Sequence, residues 1–362
     1  MSAPPLRAPF PYYGSKLAAA PLIERLMGPV SNLVIPFAGS LGELLGRSTP
    51  AKVETVNDAD GLVVNAWRGL VYSPEAMAGL CDHPVHETTM HAAHDLLLAR
   101  APELPELLRS DPNAHDVELA AWWVWGASCW LGSGWCREPS EKKPRLGGHV
   151  DRPHVGLGVA RPWVARPHLS NAGQGVAKPT PHRKIPCIGG PGDGPGRPDM
   201  GRGVIAKRQM PMLSGSDGSG VGFGQGVNAG KNRGALEEYF SALAMRLRWV
   251  RITCGDWSRV VTPAVTTSHG LTGVSLDPPY CHTLRSTRLY REDSPTLSAD
   301  VRAWAVERGD DPLLRITLAG KGEEHDDLLE IGWTKHVWRA DGETIWASPA
   351  CGREQSFGPL FG

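Results

Sequence analysis

The chain has no excess of either charge: 38 Lys and Arg balance 38 Asp and Glu over 362 residues, which excludes a uniformly basic or acidic protein. It has no Cys-x-x-Cys pair and an odd total of 7 cysteines, which argues against both a disulfide framework and a zinc ribbon and fits reduced thiols. No stretch reaches the roughly 18 uninterrupted apolar residues of a membrane span. The opening Met1-Ser2-Ala3-Pro4-Pro5-Leu6-Arg7 carries no apolar signal core, so a cytoplasmic protein without a membrane partner is expected. What the chain does have is 41% hydrophobic residues, enough for a sizeable core in about two domains. Its 43 glycines and 32 prolines demand a large share of loop.

The neutral total conceals an asymmetry. Residues 145–234 carry 13 Lys and Arg against 4 acids, and they hold about half of all the glycines. Runs such as Gly189-Gly190-Pro191-Gly192 have little apolar periodicity and build no core of their own. Two readings stand open: a solvated insertion, or a basic segment that orders on a polyanion. His149, His154, His168, His182 and Cys187 fall within the stretch but match no zinc spacing, so no metal is expected.

On either side of this stretch the pattern alternates. Residues 17–26 have helical spacing, 32–37 form an apolar run suited to a parallel strand, and 39–45 follow as turn and helix. A second strand at 53–56 ends in Asn57-Asp58, and 62–70 is helical again. Residues 74–109 read as helix interrupted by Pro84, Pro102 and Pro105. Residues 117–131 form a helix bearing Trp122, Trp123, Trp125 and Trp130, read as core packing or, failing that, as a stacking surface. Helix returns at 236–247 and strand at 249–254. A further strand at 274–276 is followed by helix at 299–308 and strand at 313–318, and windows 328–337 and 343–347 supply the last strands. One α/β sheet interrupted by the basic stretch accounts for this order.

Three strand ends carry chemistry. Pro36-Phe37-Ala38-Gly39-Ser40-Leu41-Gly42 is a small-residue turn into a helix, which lets a ligand approach the backbone, although an ordinary strand-to-helix turn reads the same. Asp58 follows about 20 residues later, where an acid accepts hydrogen bonds from ribose hydroxyls in doubly wound nucleotide sites. It also fits as a helix cap. Asp277-Pro278-Pro279-Tyr280 follows an apolar strand end. Its prolines remove two backbone donors, leaving carbonyls, a carboxylate and an aromatic ring. Such a loop suits an exocyclic amine of a nucleobase: Asp277 and the Pro278 carbonyl would hold its two hydrogens while Tyr280 stacks on the ring.

With these residues the chain resembles the Dam-type DNA adenine methyltransferases, more narrowly their phage and prophage versions, from Phe10 to about Cys351. Tyr12-Tyr13-Gly14-Ser15-Lys16 is similar to the family's N-terminal cofactor motif, Pro36-Phe37-Ala38-Gly39-Ser40 to the motif around that cofactor, and Asn57-Asp58 to its ribose-binding acid. Gly255-Asp256-Trp257 resembles the acid–aromatic pair that holds the cofactor's adenine, and Asp277-Pro278-Pro279-Tyr280 the catalytic motif. Thr283, Arg285 and Tyr290 echo a family loop. Two departures stand out: Leu41 where the family has a second glycine, and the length of the insertion.

The resemblance implies a Rossmann-like S-adenosylmethionine-dependent methyltransferase sheet with helices on both faces. Residues 1–75 would be its cofactor half, 76–235 a helical and Gly-rich basic target-recognition insertion, and 236–362 its catalytic half. It implies S-adenosylmethionine bound through Tyr13, Lys16, Phe37, Gly39, Ser40, Asp58, Asp256 and Trp257. It also implies catalysis through Asp277, Pro278, Pro279 and Tyr280, double-stranded DNA as partner, and a bacterial cytoplasm as the setting. The expected reaction is methylation of adenine N6 after base flipping. Methylation of cytosine N4, or a silent DNA-binding scaffold, are the alternatives. Oligomeric state, target sequence and any restriction partner are not set by the sequence.

Overall fold

The structure, a computed structural model, describes residues 6–111, 113–130, 135–136, 229–279 and 296–351. The basic stretch up to residue 228, together with Tyr280, Cys281, Thr283, Arg285 and Tyr290, lies outside them. The first half runs α1 (Ala20–Met27), β1 (Asn32–Ile35), α2 (Gly42–Gly46), β2 (Val53–Asp58) and α3 (Gly61–Tyr72). Four helices follow: α4 (Pro74–Cys81), α5 (Glu87–Arg100), α6 (Leu104–Ser110) and α7 (Val117–Cys129). The second half comprises α8 (Ala229–Leu247), β3 (Val250–Cys254), β4 (Thr272–Leu276), α9 (Leu297–Arg308), β5 (Leu314–Lys321), β6 (Thr334–Val337) and β7 (Glu343–Ala347).

The seven strands form one mixed sheet in the order β3-β2-β1-β4-β5-β7-β6. The first five in that order are mutually parallel, and β7 runs antiparallel to both β5 and β6. From β1 the chain works outward to β2 and β3, whereas from β4 it works outward the other way to β5. The carboxyl ends of β1 and β4 therefore flank the crevice at which an open α/β sheet binds its ligands.

Alternation along β1 separates two cores. Leu33 and Ile35 pack among α1, α3, α7 and α8, while Val34 packs with Val274, Ile316, Leu318, Trp346 and, from α9, Val301 and Ala305. Helices thus cover both faces, and β1 and β4 are buried along their whole length, as parallel strands between two helical layers must be. The helices from 74 to 129 share the first core with α3 and the sheet.

Local chemistry explains the boundaries. Pro21 sits in the first turn of α1, where its missing N–H costs nothing, and Ile23 and Met27 line the buried face one turn apart. The helical window 74–109 breaks at Pro84, while Pro102 and Pro105 stand in the first turns of a 3₁₀ turn and of α6. Asp60 caps α3 by accepting from the Leu62 N–H at 2.9 Å, and Asp116 caps α7 by accepting from Leu119 at 2.9 Å. On α7, Trp123 and Trp125 are core residues, and the Trp125 indole N–H donates to the His83 carbonyl at 2.9 Å. Trp122 and Trp130 are half-buried and meet His83 and His94 edge-on and face-on, respectively. The window 328–337 is only partly strand: Asp326–Ile331 is a 3₁₀ turn that ends at Gly332, and β6 begins at Thr334. Leu328 is the reason, because it plugs the second core from that turn. Among the described residues no helix is long and apolar enough to cross a membrane.

Candidate active site at the sheet switch point

A cleft with about 810 Å³ of non-protein space, its open mouth included, lies at the carboxyl ends of β1 and β4. Its walls are the segment 12–16, the turn 37–43, residues 58–60, Asp277 with Pro279, and Leu297. Tyr13, Lys16, Phe37, Gly39, Ser40, Asp58, Asp277 and Pro279, which the sequence assigns to a cofactor or to chemistry, meet here, although their segments are far apart along the chain.

The turn after β1 is sewn down on all sides. The Ala38 N–H donates to the Asn57 carbonyl at 2.7 Å, the Leu41 N–H to the Ala38 carbonyl at 2.7 Å, and the Trp67 indole to the Gly39 carbonyl at 2.9 Å. Asn57 donates from Nδ2 to the Pro36 carbonyl at 3.1 Å and to the Gly255 carbonyl at 2.9 Å, tying together the ends of β1, β2 and β3. Gly39 has φ of 46°, and a Cβ there would lie 2.7 Å from the Tyr12 ring. A Cβ on Gly42 would lie 2.7 Å from the Leu17 nitrogen. Leu41 takes the left-handed conformation, φ 52° and ψ 24°, at the cap of α2, which costs a non-glycine residue about 1–2 kcal/mol. Its side chain is 1% exposed within the first core, and this burial offsets the strain. Leu41, where a glycine would be free of strain, therefore leaves the turn intact.

Asp58 is not the cap of α3; that is Asp60. Its Oδ2 accepts the Gly39 N–H at 2.8 Å and its Oδ1 the Asp60 N–H at 2.9 Å. A carboxylate has about four lone-pair sites, so these backbone donors still leave acceptor capacity towards the cleft. Burial pushes the Asp58 carboxyl up to about 6, against the opposing pull of the Asp60, Gly39 and Ala59 backbone N–H groups.

Lys16, 5% exposed, joins the two halves of the site. Its Nζ lies 2.8 Å from Asp277 Oδ1, 3.8 Å from Glu343 Oε2, and donates to the Gly14 carbonyl at 2.9 Å. Burial raises the Asp277 carboxyl above its ordinary range, the Lys16 ammonium opposes that, and Glu343 adds to it. Pro278 and Pro279 are buried behind this carboxylate, and Pro279 reaches the cleft wall. Ser40 donates to the Ser15 hydroxyl at 2.9 Å, closing the turn against the 12–16 segment.

Asp256 and Trp257 stand at the end of β3 and do not line the cleft. Asp256 caps the short turn Trp257–Val260, accepting from the Ser258 N–H at 2.9 Å. Trp257 approaches the site through Phe37, with ring centroids 6.3 Å apart and planes 27° from parallel. Tyr280 lies outside the described residues. Among those described, no three His, Cys, Asp or Glu side chains are placed to hold a metal ion.

Sequence reasoning missed Glu43, Asp60 and Leu297 on the cleft wall and Glu343 behind Lys16. Glu43 left one trace, an acid within the otherwise apolar Leu41-Gly42-Glu43-Leu44-Leu45 run. Glu343 left none. A scan against protein-family models finds no match to this chain, and a search of curated proteins finds none either.

Proposed function

We propose that this chain transfers a methyl group from S-adenosylmethionine to the N6 amino group of adenine in double-stranded DNA. The observation that carries the reading is the meeting, at the sheet's switch point, of the Pro36–Gly42 turn, the Asp58 carboxylate and the Asp277-Pro278-Pro279 loop around one cleft. The residues present fit the cofactor. Asp58, Asp60 and Asp277 face the cleft against Lys16, its one cation among the described residues, a balance that favours a positively charged sulfonium. Asp58 has acceptor capacity for ribose hydroxyls, Phe37 and Leu297 offer apolar surface, and Lys16 suits a carboxylate.

When bound, S-adenosylmethionine supplies an electrophilic methyl group on sulfur. The chain's own residues position the nucleophile. Asp277 and the Pro278 carbonyl would accept the two hydrogens of the target amine, which localises the nitrogen lone pair towards the methyl group. The proton that the methylated amine must lose would pass from its hydrogen bond with Asp277 to solvent water. Positioning and electrostatics suffice, with no covalent enzyme intermediate. Extruding the base costs on the order of a few kcal/mol of stacking, and the resemblance assigns Tyr280 to receive it.

Nucleoside analysis by mass spectrometry, after incubating DNA with the protein and S-adenosylmethionine, tests this directly. The expected product is 6-methyladenine. 4-Methylcytosine would keep the site and change the base, and no methylated base would refute the reading. Asp277→Ala is expected to abolish transfer while labelled S-adenosylmethionine still binds; turnover at the wild-type rate would remove Asp277 from its role.

A further inference from the structure

Glu43 lies in the first turn of α2, is 5% exposed, and takes no part in the mechanism above. Its Oε2 accepts a short hydrogen bond from the Ser275 hydroxyl, which itself accepts from Thr317 at 3.4 Å. Its Oε1 is buried and has no hydrogen-bond partner. Ser275 precedes Asp277 by two residues, so both point to the same side of the β4 strand and its extension. One hydrogen bond thus joins the turn on the cofactor side to the strand that presents Asp277.

The charges around Glu43 come from every element packed against it. Arg47 lies one turn further along α2, Lys16 belongs to the segment before α1, Asp277 follows β4, and Glu343 on β7 reaches the cluster through Lys16. Arg47 is itself buried, with Nε and Nη1 unpartnered. A third anion beside Asp277 and Glu343 would leave one buried, bare carboxylate oxygen charged, a costly species, whereas a neutral acid leaves only an uncharged polar atom there, at a smaller cost. Burial pushes the Glu43 carboxyl up to about 7, with Ser275 and Arg47 opposing and Asp277 adding to the rise. Burial raises Asp277 as well, but Asp277 is the one that an ammonium pairs at 2.8 Å, so Glu43 is the carboxyl group of the two that keeps the proton.

We propose that Glu43 stands in the folded protein as a neutral carboxylic acid and is a positioning residue for Asp277: through Ser275 it fixes the end of β4, and by carrying a proton instead of a charge it leaves Asp277 the anion that Lys16 pairs. Its catalytic consequence rests on the reading of Asp277 as acceptor of the target amine; its protonation does not.

Carbon-13 NMR of the full chain with labelled Asp and Glu carboxyl groups, assigned through Glu43→Gln and Asp277→Asn, separates the two. The Glu43 signal is expected to titrate near neutrality, with a lower midpoint in Asp277→Asn. Titration in the ordinary carboxylate range, or a midpoint indifferent to Asp277→Asn, overturns the proposal. In the methyl-transfer assay, Glu43→Ala is expected to lower kcat by at least about tenfold with little change in KM for S-adenosylmethionine. Glu43→Gln, which keeps the acceptor for Ser275 without a charge, should recover most of that loss and escape the decline of the wild type above neutral pH. Equal impairment of the two variants overturns the positioning role. Absence of methyl transfer by the wild type overturns the functional reading instead, and the titration still decides the state of Glu43.

Discussion

Asp58 and Leu41 show how single residues in the cleft trade stability for a binding surface. Asp58 is half-buried and held by backbone N–H donors, and its carboxyl is pushed up to about 6 from an ordinary 3.8. Because the folded value is the higher one, the stability that it contributes is fully present below about pH 4 and is lost as pH rises through about 6. Ligand binding runs the other way, since the ionised form is the acceptor for hydroxyls. S-adenosylmethionine affinity, measured by calorimetry from pH 5 to 8, should therefore fall as pH drops below about 6. Asp58→Ala should lose that pH dependence along with most of the affinity. Leu41 makes the opposite trade: its left-handed backbone is strained while its side chain is fully packed. Leu41→Gly should relieve about 1–2 kcal/mol of strain but forfeit about 3 kcal/mol of burial and leave a cavity. A net destabilisation of about 2 kcal/mol in urea unfolding is expected. A more stable Leu41→Gly protein would show that the strain outweighs the packing.

Elements succeed or fail by how locally their sequence encodes them. β1 and β4 are legible as short apolar runs, and the helices from 74 to 110 as periodic segments cut at Pro84, because periodicity and proline chemistry act within a few residues. The 3₁₀ turn at Asp326–Ile331 was not legible. Its apolar residues Leu328 and Leu329 look like strand, yet Leu328 is fixed by the core it plugs. The turn into α2 depends on contact with a separate segment: a Cβ on Gly42 would meet Ser15 Oγ at 2.6 Å and the Leu17 nitrogen at 2.7 Å. Gly42→Ala should push segment 15–17 off the turn, costing about 1–3 kcal/mol and weakening cofactor binding through the displaced Lys16. Thermal unfolding and calorimetry on the same sample would check both effects. An unchanged affinity would mean that Lys16 does not contribute to it.

At the scale of the whole molecule, the chain's neutral total divides into a basic stretch and an acidic remainder, and the described site is itself rich in carboxylates. Affinity for a polyanion would then come from the basic stretch. Replacing residues 147–230 with a short Gly/Ser linker should weaken DNA binding and flatten its salt dependence while cofactor binding survives. An unchanged salt slope in a binding titration would return the stretch to the solvated reading. By itself the sequence determined the alternation of strands and helices, and with it an α/β sheet. It also marked the small-residue turn, Asp58 and the Asp277-Pro278-Pro279 loop, since each is written in contiguous residues whose backbone chemistry is local. Only the tertiary structure decided that β1 and β4 are neighbours, that Lys16 pairs with Asp277 at 2.8 Å, that Asp60 and not Asp58 caps α3, and that Glu43 is buried against Ser275. Strand order and the burial of polar groups are set by contacts between segments far apart in the chain, where no periodicity reaches and the low dielectric of the assembled core fixes which carboxyl group keeps its proton.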